Sequence, residues 1–362
     1  MKKHLSPSLP SHSPLTPLSL LSPYFLISLL LLSFSVSAQN KTDQQGRRQG
    51  HWIRTDKDGS KIYEGDFVDG LETGTFTYFY HDGTVRIRNT YTEPGRRCLH
   101  EAYDEQGHLL ARGEYNQRNR HGLWKFYAED GRLVKEASYN MGVKDGLSVI
   151  YERNGDTAEV SNWLNNHRHG RWWKRIGSKG YITANYANGS LEGRLVEYNS
   201  DGQLVQEGWY EAGFKHGEYK HFENGVLTVR ERWHHGNMND REILLRLADG
   251  DRFVSIYDIA CMAAQGKSKT IVLLKDGAKL TANENSEPVL NRAGDELFSL
   301  ANRKSRISVA RKCIQGIGKD KDGREILLLE PQPDFAIFPD EDAVKMVHAL
   351  QYDEHSPLLD KE

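Results

Sequence analysis

The chain has 362 residues and a formal net charge of −2, with 38% hydrophobic and 27% charged residues. Its 7 Trp, 17 Tyr and 12 Phe exclude a disordered polar chain, and its near-neutrality excludes a basic nucleic-acid coat or an acidic tail. Three Cys exclude a disulfide framework, and at about 150 residues per domain the length suggests two domains.

The first element is an address. Lys2 and Lys3 precede an apolar run from Tyr24 to Leu32, continued by Phe34 and Val36 and closed by the small-x-small step Val36-Ser37-Ala38. The run falls short of the roughly 20 residues that a membrane span requires. Residues 1–38 therefore read as a secretory signal cut between Ala38 and Gln39, leaving a secreted or periplasmic chain with no transmembrane span; an uncleaved anchor is the competing reading. Among Cys98, Cys261 and Cys313 at most one bridge can form, and three buried free thiols are the alternative.

Next comes a repeat, assigned to 39–240. Phe67, Tyr91, Tyr115, Tyr139, Trp163, Tyr186, Tyr210 and Trp233 follow one another at steps of 24, 24, 24, 24, 23, 24 and 23 residues. Seven residues after most of them stands a glycine: Gly74, Gly122, Gly146, Gly170, Gly193 and Gly217, with Cys98 in that place in one unit. A second glycine follows (Gly59, Gly83, Gly107, Gly131, Gly155, Gly202, Gly225). A fixed period of this length marks a stacked array. Leu123–Tyr127 is rich in strand formers, Asp130-Gly131 is a hairpin turn, and Leu133–Tyr139 is the return strand. Recurrent glycines disfavour helix. Two strands per unit at about 4.8 Å predict an advance of about 10 Å, hence a ribbon of about 80 Å for eight units. Trp124 and Tyr127 are three apart, so an ideal strand would send them to opposite faces; either both faces carry aromatics or a bulge re-aims one.

The pattern Tyr-x-x-Gly-x-x-x-Gly-x-Trp/Tyr-x-x-Tyr-x-x-x-Gly-x-Leu, seen best from Tyr210 to Tyr219, resembles the bacterial variant of the MORN repeat over about 45–238. The resemblance implies an elongated antiparallel β-hairpin array that makes protein contacts. The Cys98 unit departs most from the pattern.

Within the array, His121, His169 and His216 each precede the repeat glycine, and His234-His235 is a pair. Imidazoles are good ligands for zinc or nickel, but no Cys or clustered carboxylate completes a four-ligand set. They read as turn histidines that hydrogen-bond locally, and neither metal nor cofactor is expected. The aromatics read as the core of a thin sheet rather than a sugar-binding track.

The period stops after Trp233, and residues 241–352 read as a small α+β domain followed by a flexible tail, 353–362. Strands are expected at 252–256, 270–274 and 326–329, strand-like sequence at 298–317, and helices at 288–297 and 340–350. Val254–Ile259, the Leu274–Gly277 turn and Phe298-x4-Arg303-x-Ser305-x-Ile307-x-Val309 resemble a LytTR-type DNA-binding domain. That resemblance implies nucleic-acid contacts by Arg303, Lys304, Arg306, Arg311 and Lys312. Against it, acids outnumber bases from Arg241 onward, and an exported chain never meets DNA.

No phosphate loop, His-Glu-x-x-His or Cys-x-x-Cys occurs, and Ser305, Ser308 and Cys313 have no evident base. The expectation is a non-catalytic, exported scaffold or protein-interaction module of the cell envelope whose partner the residues do not name. The alternative is a DNA-binding regulator.

Overall fold

A computed structural model describes residues 39–294, 297–302, 305–310 and 313–331, with positions 333, 337, 339, 344, 345 and 347. The expected signal 1–38, the tail 353–362 and most of the expected helix 340–350 lie outside the described residues. The fold is mainly β, as its sequence indicates. One antiparallel sheet of 25 strands runs as consecutive hairpins through the repeat and on into the C-terminal part, beside a separate two-stranded sheet.

The two long edges of the ribbon carry different turns. Along one edge the turns have two residues, such as Asp69-Gly70, Asn165-Asn166 and Asn188-Gly189, all at positive φ. This is the hairpin turn whose twist matches that of the strands. Each turn is tied to the preceding unit: the Gly70 N–H donates to Arg48 O at 2.9 Å, Gly142 to Arg120 O at 2.8 Å and Gly236 to Lys215 O at 2.9 Å. Along the other edge the turn closes on a glycine. Gly131, at φ 81°, donates to Ala128 O at 2.9 Å, and Ala128 N donates to Arg132 O at 2.9 Å.

The register answers the Trp124–Tyr127 question: both faces carry aromatics. Trp124 and Phe126 stack on one face, with ring centroids 6.2 Å apart. The ladder then skips Val134, pairing Phe126 with Lys135 but Tyr127 with Leu133. The extra residue sits on the return strand, so residues 124–127 keep the alternation that sends Tyr127 to the face opposite Trp124 and Phe126. The same skip recurs at Tyr78/Phe79, Ile150/Tyr151 and Glu197/Tyr198.

A single row of side chains crosses the array at right angles to the strands. Register pairs Trp52 with Gly65, Phe76 with Asn89, His100 with Gly113, Trp124 with Ala137, Trp172 with Ala184 and Leu195 with Gly208. Large and small side chains alternate along most of the row, which is interrupted by three small residues in succession, Ala137, Ser148 and Ser161. A Cβ at Gly113 would stand 2.3 Å from the Trp124 indole, and one at Gly208 would stand 1.8 Å from the Tyr219 ring. Trp124, Phe76 and Tyr219 are buried in a sheet only one layer thick.

The row ends at Glu231, which faces Arg241 on the strand Asn237–Leu247. That strand pairs with Val226–His234 on one side and Gly250–Ser255 on the other, and at Leu247 it also meets Ala282. Ile259–Gln265, Lys269–Leu274, Lys279–Ala282, Phe298–Asn302 and Ser305–Val309 complete the C-terminal sheet. The helix Ser286–Ala293 lies against it. It begins two residues before the expected start because the Asn285 side chain accepts from the Glu287 N–H at 3.1 Å, and it stops where Gly294 turns to φ 70°. Here Ile243, Leu245, Ile259, Met262, Val272, Val289, Val309 and Leu327 form an aliphatic core. Cys98, Cys261 and Cys313 are buried free thiols.

Candidate interaction cleft

Each repeat residue has a definite place. The repeat glycine lies directly across the ladder from the repeat aromatic of the following strand: Gly122 from Tyr139, Gly146 from Trp163, Gly170 from Tyr186, Gly193 from Tyr210 and Gly217 from Trp233. Gly50 faces Phe67 in the same way, and Gly74 falls one step beyond the pair Thr75–Thr90 that precedes Tyr91. Gly122 takes φ 67° beside a bulge where three residues oppose one, a conformation that a Cβ disfavours.

Two residues before that position a cation covers the rings in most units, with Leu191 in that place before Gly193. Arg48 lies 5.0 Å from the centre of Trp52 and 5.1 Å from that of Phe67. Arg120 lies 4.8 Å over Trp124, Lys144 3.5 Å over Trp163, Arg168 5.4 Å over Tyr186 and Lys215 4.0 Å over Tyr219. A cation over a ring face gains from the ring quadrupole, and its alkyl stem shields apolar surface that a one-layer sheet leaves bare.

One stretch of the array breaks these rules together. Glu72 stands where the neighbouring units have a cation, Cys98 where they have glycine, and the row carries Asn89 and His100 in place of a small residue and a large ring. Cys98 keeps to the regular ladder opposite Tyr91 and Tyr115, and the preceding turn lengthens to Pro94–Arg96. With the row thinned and the covering cation absent, a cleft of about 470 Å³ opens, lined by Glu72, Tyr78, Tyr91, Cys98, His100 and Tyr115 with Arg96 and Arg118.

Its electrostatics are set by burial. Tyr91 and Tyr78 both donate to the Glu72 carboxylate, Tyr78 at 3.5 Å. Burial first, then the charge of Glu72, pushes Tyr78 up to about 12; burial first, then the hydrogen bond to Glu72, pushes Tyr91 further in the same direction. Burial, helped by the Arg120 charge, lowers His100 to about 4, so it is a neutral ring at pH 7. It is held between Tyr115 and Trp124 with Nδ1 2.8 Å from Asn89 Oδ1. Burial raises the Cys98 thiol to about 11, which keeps it protonated and a poor nucleophile. The cleft thus offers one anchored carboxylate, three phenol rings, a neutral imidazole and two guanidinium groups at its rim.

The sequence reading located the glycine and aromatic columns and the departure at Cys98, but missed the alternating row and Glu72. Reading every column at the same period, not only the strongest, exposes both. Arg303, Lys304, Arg311 and Lys312 lie outside the described residues, as does the side chain of Arg306.

The family described as MORN repeat variant matches residues 120–141, the unit carried by Gly122 and Tyr139. Residues 120–141 thus match a MORN repeat variant, and the units before and after them repeat the same hairpin geometry; such an array fits a protein-interaction module. No curated protein matches. A crystal structure of TcdB2-TccC3-TEV matches at 10% identity over 84% of this chain, with a TM-score of 0.15, a superposition too weak to assign a fold. This chain spans 14% of that one. Among the described residues no helix is long and apolar enough to cross a membrane.

Proposed function

We propose that the protein is an exported, non-catalytic interaction module of the cell envelope that recognises a protein partner through the Glu72–His100 cleft. The observation that supports this reading is the clustering of departures. Four repeat positions change together in adjacent units, and the result is an open cleft shared by a carboxylate, phenols and guanidinium groups. The ribbon provides a long, stiff face for the rest of the contact, and the C-terminal sheet provides a second one. The charge, the apolar run and the small-x-small step of residues 1–38 support export.

The test restores the repeat. Asn89→Gly, Cys98→Gly and His100→Trp together fill the cleft with residues that neighbouring units already hold. A photo-crosslinker at Arg118 in the full chain, expressed in cells, is expected to give a discrete protein adduct that the filled variant loses while its circular dichroism is unchanged. An adduct that survives filling removes the cleft from the reading. Protease added after the outer membrane is opened is expected to reach the C-terminal part of a chain that begins at Gln39; full protection, with the N-terminus intact, removes export.

A further inference from the structure

We propose that His216, His234 and His235 form a binding site for a borderline divalent metal ion of the zinc class at the last turn of the array. His216 sits on the strand Phe214–Glu223, just before Gly217, which faces Trp233 across the ladder. His234 follows Trp233 at the end of the strand Val226–His234. His235 opens the turn His235-Gly236 at φ 44°, and the Gly236 N–H folds that turn onto Lys215 O. The three rings therefore face one another, with centroids 5.3, 5.0 and 4.6 Å apart, and one ring nitrogen from each lies within 4.8 Å of the others. Tetrahedral zinc with N-donors at 2.0–2.1 Å needs about 3.3 Å between them, a closure that modest side-chain rotation of two exposed rings supplies.

A second observation points the same way. His216 Nδ1 is buried and makes no hydrogen bond, although Glu211 Oε2 is 3.3 Å away. A metal on Nε2 fixes the proton on Nδ1 and turns this pair into the carboxylate–imidazole contact that orients a ligating histidine. Three neutral imidazoles with a fourth position left to water suit zinc, copper or nickel over magnesium or calcium.

The array supplies its own controls. His121 and His169 hold the same repeat position as His216, but the residues equivalent to His234 and His235 are Asn140 and Met141 in one unit and Ala187 and Asn188 in the other. Among the described residues one other group brings donors as close, Asp56, Asp58 and His81. There Asp56 Oδ1 and Asp58 Oδ1 already accept from the backbone of Asp58 and Ser60.

The experiment titrates the purified full chain with zinc(II) by calorimetry. One equivalent is expected to bind with micromolar affinity or better. His234→Gln and His235→Asn are each expected to weaken it by well over tenfold, and Glu211→Gln by about tenfold. Asn keeps the left-handed backbone at 235, so the fold survives. Cobalt(II) bound at the same stoichiometry is expected to show the intense visible absorption of a four-coordinate site. The proposal is overturned if no stoichiometric binding occurs, if His234→Gln and His235→Asn leave the affinity unchanged, or if His121→Gln and His169→Gln weaken it as much.

Discussion

The repeat array and the C-terminal sheet solve one problem in two ways. Both are antiparallel and continuous through the strand Asn237–Leu247. The C-terminal sheet buries Ile, Val, Leu and Met beneath a helix, as a layered domain does. The array has no second layer. It lays large rings across Gly and Ala neighbours and covers them with Arg and Lys, so a thin sheet acquires a core from its own side chains. Such a ribbon depends on neighbours alone, and a change in one unit opens a cleft without unravelling the rest. The array can therefore vary a site unit by unit, whereas the layered end spreads a change through a shared core.

The two regions are joined by buried charge. Glu231 is 3% exposed and is met by Arg241 at 3.1 Å, His221 at 3.4 Å, Lys215 at 3.6 Å and the Trp233 indole N–H at 2.7 Å. Arg241 Nε donates to Arg292 O at 2.9 Å. The buried Arg292 guanidinium pairs with Glu284 at 2.8 Å and with Glu223 of the array at 2.9 Å.

The largest effect is expected where the array has its fullest ring. Trp124→Ala should cost about 3–5 kcal/mol, read as loss of the first transition in urea while the C-terminal transition stays in place; a single shared transition would mean that the regions do not separate. Arg292→Ala should cost about 3 kcal/mol, because it leaves Glu284 with Arg246 alone, at 3.3 Å, and removes the donor to Leu244 O, and should move the C-terminal transition in the same denaturation. Gly113→Ala should destabilise the array by about 2 kcal/mol through overpacking against Trp124. Gly131→Ala meets open space and should cost only about 1 kcal/mol, from its left-handed backbone.

Acid should separate the regions again. His100 titrates at 6.5 unfolded and about 4 folded, so the unfolded chain binds the proton first. The stability gained by burying the neutral ring is complete above pH 6.5 and is lost as pH falls towards 4. At Glu231 burial opposes ionisation, but the His221 and Trp233 contacts and the Lys215 charge outweigh it, taking the carboxyl from 4.5 to about 2. Its contribution is complete above pH 4.5 and lasts until pH falls through about 2. Melting followed from pH 7 to 4.5 should therefore weaken the array before the junction, and His100→Phe should remove that early loss. The smallest effect is spectroscopic. Burial, with the Lys135 charge, lowers Lys144 to about 8 above the Trp163 ring. Tryptophan fluorescence should titrate near pH 8 in the native chain, and Lys144→Met should abolish that step.

Much of this was legible in advance. The period, the turns at Gly131 and Gly277 and the strand-rich return segments follow from local chemistry, since a glycine at positive φ and a β-branched or aromatic run act within a few residues. The helix before Gly294 was legible in kind but displaced, because a side-chain cap at Asn285 decides its start. The strand Ile259–Gln265 was not foreseen: its Ala, Cys and Met content has little strand propensity, and burial between two neighbouring strands, Lys269–Leu274 and Ser305–Val309, decides it.

By itself the sequence determined the repeat, its hairpin unit and the antiparallel direction of its strands, because each of these is fixed by turns and alternation inside one 24-residue period. Only the tertiary structure decided which departures share a cleft, which three histidines face one another and how Glu231 and Arg292 bind the array to the layered end. Those outcomes depend on register between strands a full period or more apart, and register becomes definite only when the ladder closes and the rings settle over their small neighbours.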